Sequence, residues 1–127
     1  MTAPRGGVTA AEHLGEVSKT YARLADSYKR VSLDAAEAEA NHKASRAKAV
    51  LRFKAGEEKV SHAEAEARAD ADDVIAELYL RRLTTAALAS SHREKLHQLR
   101  EQVATGRTAV ASERLVDENH GRGIGAP

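Results

Sequence analysis

The chain has no proline between Pro4 and Pro127, so no residue in this long interior prevents an α-helix from forming. Aromatic residues make up only 3% of the 127 residues, whereas charged residues make up 31%. A chain with few large side chains and much Ala, Glu, Lys, Leu and Arg favours long helices over a compact globule. The length allows one domain at most. We therefore predict an all-α fold with thin seams between helices in place of a thick core.

The first half of the chain repeats apolar side chains at alternating steps of three and four, which places them on one side of a helix. This side holds Leu14, Val17, Tyr21, Leu24, Tyr28, Val31, Ala35 and Ala38. Thr9 is a suitable N-cap with Glu12 three residues later, and Gly56 suits the left-handed position after a helix. The pattern predicts a helix over about 9–55 and a turn over 56–60.

A second helix is predicted to follow the capping box formed by Ser61 and Glu64. Its apolar side carries Val74, Leu78, Leu88, Leu96, Leu99, Val103 and Val110. Gly106 is a weak point at which this helix could bend, and we expect the helix to span about 62 to about 116. The resulting division is a flexible lead over 1–8, a single helical-hairpin domain over 9–118 and a flexible tail over 119–127.

A block of basic residues before the turn and a block of acidic residues after it indicate how the helices are arranged. The blocks hold Lys43, Arg46, Lys48, Arg52 and Lys54, then Glu64, Glu66, Asp70, Asp72 and Asp73. In an antiparallel hairpin they pair as Lys43–Asp73, Arg46–Asp72, Lys48–Asp70, Arg52–Glu66 and Lys54–Glu64. An exposed ion pair contributes only about 0–1 kcal/mol, so these pairs would set register more than stability. We predict an antiparallel helical hairpin, similar to a coiled coil.

Large apolar side chains accumulate away from the turn, at the open end of this predicted hairpin. They are Leu14, Tyr21, Leu24, Tyr28, Leu88, Leu96 and Leu99, and we call them the open-end seam. Two hairpins that bury such residues together form a four-helix bundle. The sequence therefore predicts a homo-oligomer that associates through this seam.

Four arginines recur every seven residues in the second helix, and we call them the arginine ladder: Arg93, Arg100, Arg107 and Arg114. This spacing places one guanidinium about every 10.5 Å along a helix. His97 lies on the same side, and Arg23 lies on the facing part of the first helix. Because the guanidinium fork suits phosphate and carboxylate groups, we predict that these six residues contact an anionic partner. The alternative is the ordinary charged flank of a coiled coil.

Catalytic and metal chemistry has little support in the sequence. The absence of cysteine excludes disulfides, thiolate zinc sites and a cysteine nucleophile. Glu39–His42 and Glu94–His97 are both Glu-x-x-His, as in di-iron bundles, but the hairpin register separates them by roughly 24 Å. We expect two solvated polar faces, no metal, no cofactor and no enzymatic activity. A net charge of +1, with no signal peptide or membrane span, predicts a cytoplasmic protein without a membrane partner.

The stretch KASRAKAVLRFKAGEEKVSHAEAEARAD, joined to LREQVATGRTAVASERL, resembles small helical proteins of actinobacterial bacteriophages and prophages. The resemblance covers about 20–118, with Gly56 at the shared glycine turn and Gly106–Arg107 at the shared late Gly-Arg. Members of this group are mostly of unassigned function, and some resemble genes near phage recombination and replication modules. The resemblance implies an accessory role in DNA metabolism in the host cytoplasm, through contacts with another phage or host protein. It transfers no catalytic residue.

Two other functions remain open at this stage. The arginine ladder could bind DNA phosphates directly, which predicts steep salt dependence. The chain could instead be a phage scaffold or chaperone, which predicts higher-order assembly without DNA.

Overall fold

The computed structural model of this protein describes residues 9–125, with side chains described over 9–120. This part of the chain forms three helices and no strand: α1 is Ala10–Lys54, α2 is His62–Ala71 and α3 is Asp73–Gly125. The predicted all-α class is confirmed. The predicted flexible lead over 1–8 lies outside the described residues.

Both predicted N-caps are present in the structure. The backbone N–H of Glu12 donates to Thr9 Oγ1 at 3.1 Å, and that of Glu64 donates to Ser61 Oγ at 3.1 Å. Each bond satisfies a backbone donor that the first turn of a helix leaves without an intrahelical partner. The predicted left-handed role of Gly56 is wrong, since its φ lies outside the left-handed region.

The predicted second helix is in fact divided at Asp72. The backbone of Asp72 is extended, with φ −65° and ψ 132°, and its N–H donates to the carbonyl of Ala69 at 3.1 Å. Its carboxylate Oδ1 accepts hydrogen bonds from the N–H groups of Val74 at 3.0 Å and Ile75 at 3.3 Å. Asp72 therefore ends α2 and caps α3, which the uninterrupted acidic run did not indicate.

The far end of α3 also differs from the expectation, because the helix continues to Gly125 instead of ending near 116. The predicted tail over 119–127 is thus helical as far as the structure describes it. The glycines there do not end the helix, since an interior glycine costs only about 1 kcal/mol of helix stability. Gly106 also lies within α3 without interrupting it.

The chain divides into two compact units, which we call the central unit, residues 28–91, and the terminal unit, residues 1–27 with 92–127. The core of the central unit consists of Ala49, Val50, Ala65, Ala69 and Ile75, with Phe53, Val60 and Leu78 packed against it. Ala65 and Ala69 have no exposed surface. Because alanines fill the contact between α1 and α2, the core is thin, and none of the described large side chains is fully buried.

The ion pairs observed in the central unit differ from those predicted. Arg46 Nε donates to Asp70 Oδ1 at 2.7 Å, and its Nη2 donates to Asp70 Oδ2 and to Glu66 Oε2, both at 3.1 Å. Arg52 lies 3.6 Å from the Asp72 carboxylate. Lys43 instead bonds Glu39 of its own helix at 2.9 Å. One guanidinium thus contacts two carboxylates of α2, and Lys43 pairs within α1, so the expected one-to-one pairing is wrong.

Contacts within the terminal unit pair the start of α1 with the later part of α3 in antiparallel order. The backbone N–H of Ala10 donates to Glu113 at 3.4 Å, and Arg100 donates to the Tyr21 hydroxyl at 3.5 Å. Between these contacts, Leu14 packs against Gly106, which is buried. The early part of α1 therefore presents Tyr21 to the arginine ladder.

Candidate functional site

The residues predicted to contact an anionic partner all have exposed side chains: Arg23, Arg93, His97, Arg100, Arg107 and Arg114. Within the described range, the five arginines of this set form no ion pair, whereas Arg46, Arg52, Arg68 and Arg82 of the central unit each contact a carboxylate. The charge of the ladder is therefore available to an external anion.

Arg100 and Arg107 border a groove in the terminal unit of about 330 Å³. Val103 and Ala104 lie between them on α3, and Ser18 and Tyr21 of α1 line the opposite side. The bond from Arg100 Nη2 to the Tyr21 hydroxyl, at 3.5 Å, directs this guanidinium toward the groove. The groove thus combines two cationic groups and two hydroxyl groups with an apolar floor.

The structure does not bring all six predicted residues to one site. Arg93 and His97 line a separate depression together with Glu94 and Gln98. A straight helix drifts about 20° per heptad, so the ladder turns by about 60° between Arg93 and Arg114. His97 Nε2 lies 3.3 Å from Glu101 Oε1. Arg23 and Arg114 are exposed but line neither the groove nor this depression.

Most members of the predicted open-end seam are half-buried. Leu14, Tyr21, Leu24, Leu96 and Leu99 are half-buried in the terminal unit, and Tyr28 is half-buried in the central unit. Leu88, in the central unit, is 49% exposed. Tyr21 also takes part in the groove, a role that its apolar spacing did not indicate. Association through this seam stays a prediction.

The Glu-x-x-His pair at Glu39 and His42 belongs to a network of hydrogen bonds. Arg82 Nη2 donates to Glu39 Oε1 at 3.3 Å, and Arg82 Nη1 lies 3.2 Å from His42 Nδ1. Because a guanidinium only donates, His42 Nδ1 takes part in this hydrogen bond as the acceptor. The hydrogen bond from Lys43 lowers the pKa of Glu39, and the positive charge of Arg82 lowers it further. Both cations stabilise the ionised carboxylate.

Among the described residues, no three acidic or histidine side chains lie close enough together to hold a metal ion. Glu94 and His97, the second Glu-x-x-His pair, belong to the terminal unit, whereas Glu39 and His42 belong to the central unit. In the part of the chain searched for membrane spans, the helices lack a segment both long and apolar enough to cross a bilayer.

Comparisons with protein families, with curated proteins and with solved structures found no match. The candidate site therefore rests on its own geometry.

Sequence reasoning identified the ladder but missed the other groove residues, Ser18, Val103 and Ala104. Their spacing carries a signal: Ser18 and Tyr21 are three residues apart on α1, and Val103 and Arg107 are four apart on α3, so each pair shares a helix face. The spacing within one helix does not show which face of α1 lies beside which face of α3.

Proposed function

We propose that this chain is a non-enzymatic helical interaction protein that binds an anionic protein segment in the groove between Arg100 and Arg107. The observation that carries the proposal is the pair of exposed guanidiniums that border this groove without forming an ion pair among the described residues. Charge-assisted, bidentate hydrogen bonds from arginine to carboxylate are among the stronger polar contacts in proteins.

The apolar floor of the groove favours a protein segment over a nucleic acid. Val103 and Ala104 separate the two arginines, which stand one heptad, or about 10.5 Å, apart. A segment with two carboxylates and an apolar side chain between them fills this arrangement. A DNA backbone would satisfy the guanidiniums but leave the apolar floor without a partner.

Direct binding of DNA phosphates is the second candidate function. It is favoured by the extent of the ladder, because all four guanidiniums from Arg93 to Arg114 are exposed. Neutralising several phosphates at once makes affinity fall steeply with salt. Binding of a protein partner, in contrast, would depend more on Arg100 and Arg107 than on the other two ladder residues.

An accessory role in phage DNA recombination or replication is the specific process that we propose for this interaction, in the cytoplasm of the host. It is supported by the resemblance of residues 20–118 to small phage-encoded helical proteins. The anionic segment would then belong to another phage or host protein.

We also propose that the whole chain is an antiparallel helical hairpin and that two copies associate. The antiparallel order of Ala10 with Glu113 and Tyr21 with Arg100 supports the hairpin. The large side chains of the open-end seam, such as Leu24 and Leu96, support pairing into a four-helix bundle.

Fluorescence anisotropy of the full chain tests the binding proposal with two probes. One is a labelled peptide with Asp residues three positions apart and Leu between them, a spacing of about 10 Å in an extended chain, and the other is labelled DNA, single- or double-stranded, in a salt series. The test variant is R100E/R107E. The matched control is R30E/R81E, which makes the same charge change at exposed arginines of the central unit.

We expect R100E/R107E to lose peptide binding and R30E/R81E to keep it. DNA binding that is lost only in R100E/R107E, with no peptide binding, would favour the second candidate. Equal losses in both variants would show only a general effect of charge and overturn the groove as the site. Failure of the wild-type chain to bind either probe at low salt would overturn both functions.

A further inference from the structure

The outer face of α1 in the central unit is apolar and uncovered. It consists of Leu33, Ala36, Ala40, Ala44, Ala47 and Leu51, all of them exposed, and we call it the outer face. Leu33 and Leu51 are each 66% exposed. The steps of three and four keep these residues on one side of the helix over about 27 Å. The buried residues Val31, Ala38, His42 and Ala49 lie on the opposite side.

The outer face is close to palindromic in side-chain size, with a leucine at each end and alanines between. A second α1 laid antiparallel would place Leu33 opposite Leu51, Ala36 opposite Ala47 and Ala40 opposite Ala44. A two-fold symmetric interface uses the same surface on both copies. That surface must therefore be complementary to itself. Alanines at the centre would allow the two helices to approach closely.

The charges along one flank of the outer face reverse sign between its two halves. Asp34 and Glu37 precede the midpoint, and Lys48 and Arg52 follow it. The antiparallel arrangement places Glu37 beside Lys48 of the second copy and Asp34 beside Arg52, with each pair occurring twice. These pairs of opposite charge would support the antiparallel interface and set its register.

Most of these flanking charges are free to form such pairs. Asp34, Glu37 and Lys48 are exposed and form no ion pair within residues 9–120. Arg52 has its nearest carboxylate oxygen, on Asp72, at 3.6 Å, and 67% of its side chain is exposed. The guanidinium therefore retains donors for a second carboxylate.

The other flank opposes association and limits its strength. It carries Lys29, Lys43 and Lys54, of which Lys43 is bonded to Glu39 at 2.9 Å. Lys29 would approach Lys54 of the second copy, although both side chains are long and can turn toward solvent. Because the centre is built from alanines and one flank is repulsive, we expect a reversible dimer rather than an obligate one.

From these observations we propose that the outer face of α1 binds the same face of a second copy of this chain in antiparallel orientation. This interface lies on α1 between Leu33 and Leu51 and is separate from the open-end seam. The surface shares no residue with the groove at Arg100 and Arg107, so either proposal can fail without the other.

Sedimentation equilibrium of the full chain measures the association, over about 1 µM to about 1 mM, the range of weak to moderate affinities. We expect a monomer–dimer equilibrium that L33E/L51E weakens by at least about tenfold. The matched control is L115E/V116E, which changes two exposed apolar residues far along α3. A monomer at every concentration, or a dimer that L33E/L51E does not weaken, would overturn the proposal.

Orientation is tested by exchanging charges. E37K should weaken the dimer, and E37K/K48E should restore it, because residues 37 and 48 meet only between antiparallel copies. Within one chain they are eleven residues, or about 16.5 Å, apart, so the rescue cannot be internal. Failure of the double variant to recover association would exclude this register.

A disulfide gives an independent readout, since the natural chain contains no cysteine. A40C/A44C should form covalent dimers under mild oxidation, because each position faces the other across the antiparallel interface. A63C/A67C has the same spacing at exposed alanines of α2 and should stay monomeric. Equal crosslinking of the two variants would count against the outer face as the interface.

Discussion

Leu14 of α1 lies directly over Gly106 of α3: a Cβ added to Gly106 would come within 3.0 Å of Leu14 Cδ1 and within 3.5 Å of Leu14 Cβ. The missing side chain therefore allows the two helices of the terminal unit to approach closely. Gly106 is buried by this contact and lies one residue from Arg107 of the groove. A glycine that the sequence marks as a weak point thus acts as a packing position.

Replacing Gly106 with leucine should destabilise the terminal unit. The new side chain would overlap Leu14, and overpacking of this kind costs about 1–3 kcal/mol of unfolding free energy. Gly15 provides the matched control, because a Cβ added there meets nothing within 4 Å. We expect Gly15→Leu to raise stability by up to about 1 kcal/mol through helix propensity. Urea unfolding measures both, and similar effects of the two substitutions would refute the close contact.

Asp72 should be required for the start of α3. Asp72→Ala removes the carboxylate that accepts from the N–H groups of Val74 and Ile75, and loss of such a cap costs about 0.5–2 kcal/mol. Asp72→Asn keeps an acceptor oxygen and should retain most of the stability. Thermal unfolding followed by circular dichroism distinguishes them. Asp73→Ala, at the neighbouring exposed position, should change the unfolding free energy by less than about 0.5 kcal/mol.

The pair of Arg46 and Asp70 should make the stability of the central unit depend on acid pH. Hydrogen bonding from Arg46 lowers the pKa of Asp70 below its ordinary value of 3.8. The stabilisation is therefore present above pH 3.8 and is lost as the pH falls through the lowered pKa.

A double-mutant cycle with Arg46→Met and Asp70→Asn isolates this interaction. We expect a coupling energy of about 0.5–1 kcal/mol at neutral pH, because both side chains are partly exposed, and a coupling energy that declines as the pH falls below 3.8. Urea unfolding at each pH supplies the four free energies. A coupling that does not change with pH would show that the ionised pair is not its source.

Arg82 should stabilise the central unit more than its neighbour Arg81. Arg82→Met removes the bond to Glu39 and leaves Nδ1 of His42 without its donor, and His42 is only 5% exposed. A buried polar atom left without a partner costs about 1–3 kcal/mol. Arg81→Met, at an exposed position, should change stability by less than about 0.5 kcal/mol. Equal effects in chemical denaturation would contradict the role assigned to the network.

Local signals in the sequence predicted local structure well. Thr9 and Ser61 cap helices because their hydroxyls accept from N–H groups three residues away, so the bond needs no distant partner. Asp72 makes the same kind of bond, but its role as a cap was not predicted. Acidic residues lie on both sides of Asp72, and such a run is equally compatible with the first turns of one continuous helix. The choice between a continuous helix and a capped break depends on packing at Ala69 and Ile75, which are both buried.

Prediction was weaker where two helices meet. The sequence contains the charges of Arg46, Glu66 and Asp70 but not the local register that lets one guanidinium contact both carboxylates. The same holds for the groove, since spacing along α3 predicts Arg100 and Arg107 on one face but not Tyr21 as their neighbour.

Local sequence patterns predicted the helical class, the residues where α1 and α2 begin, and the recurrence of four arginines along α3. These properties depend on propensity, capping and periodicity, which act over a few residues. The folded structure was needed to show that α2 ends at Asp72, that Leu14 packs on Gly106 and that Arg100 lies beside Tyr21. Those contacts join residues far apart in the chain, and their geometry is set by the packing of whole helix faces.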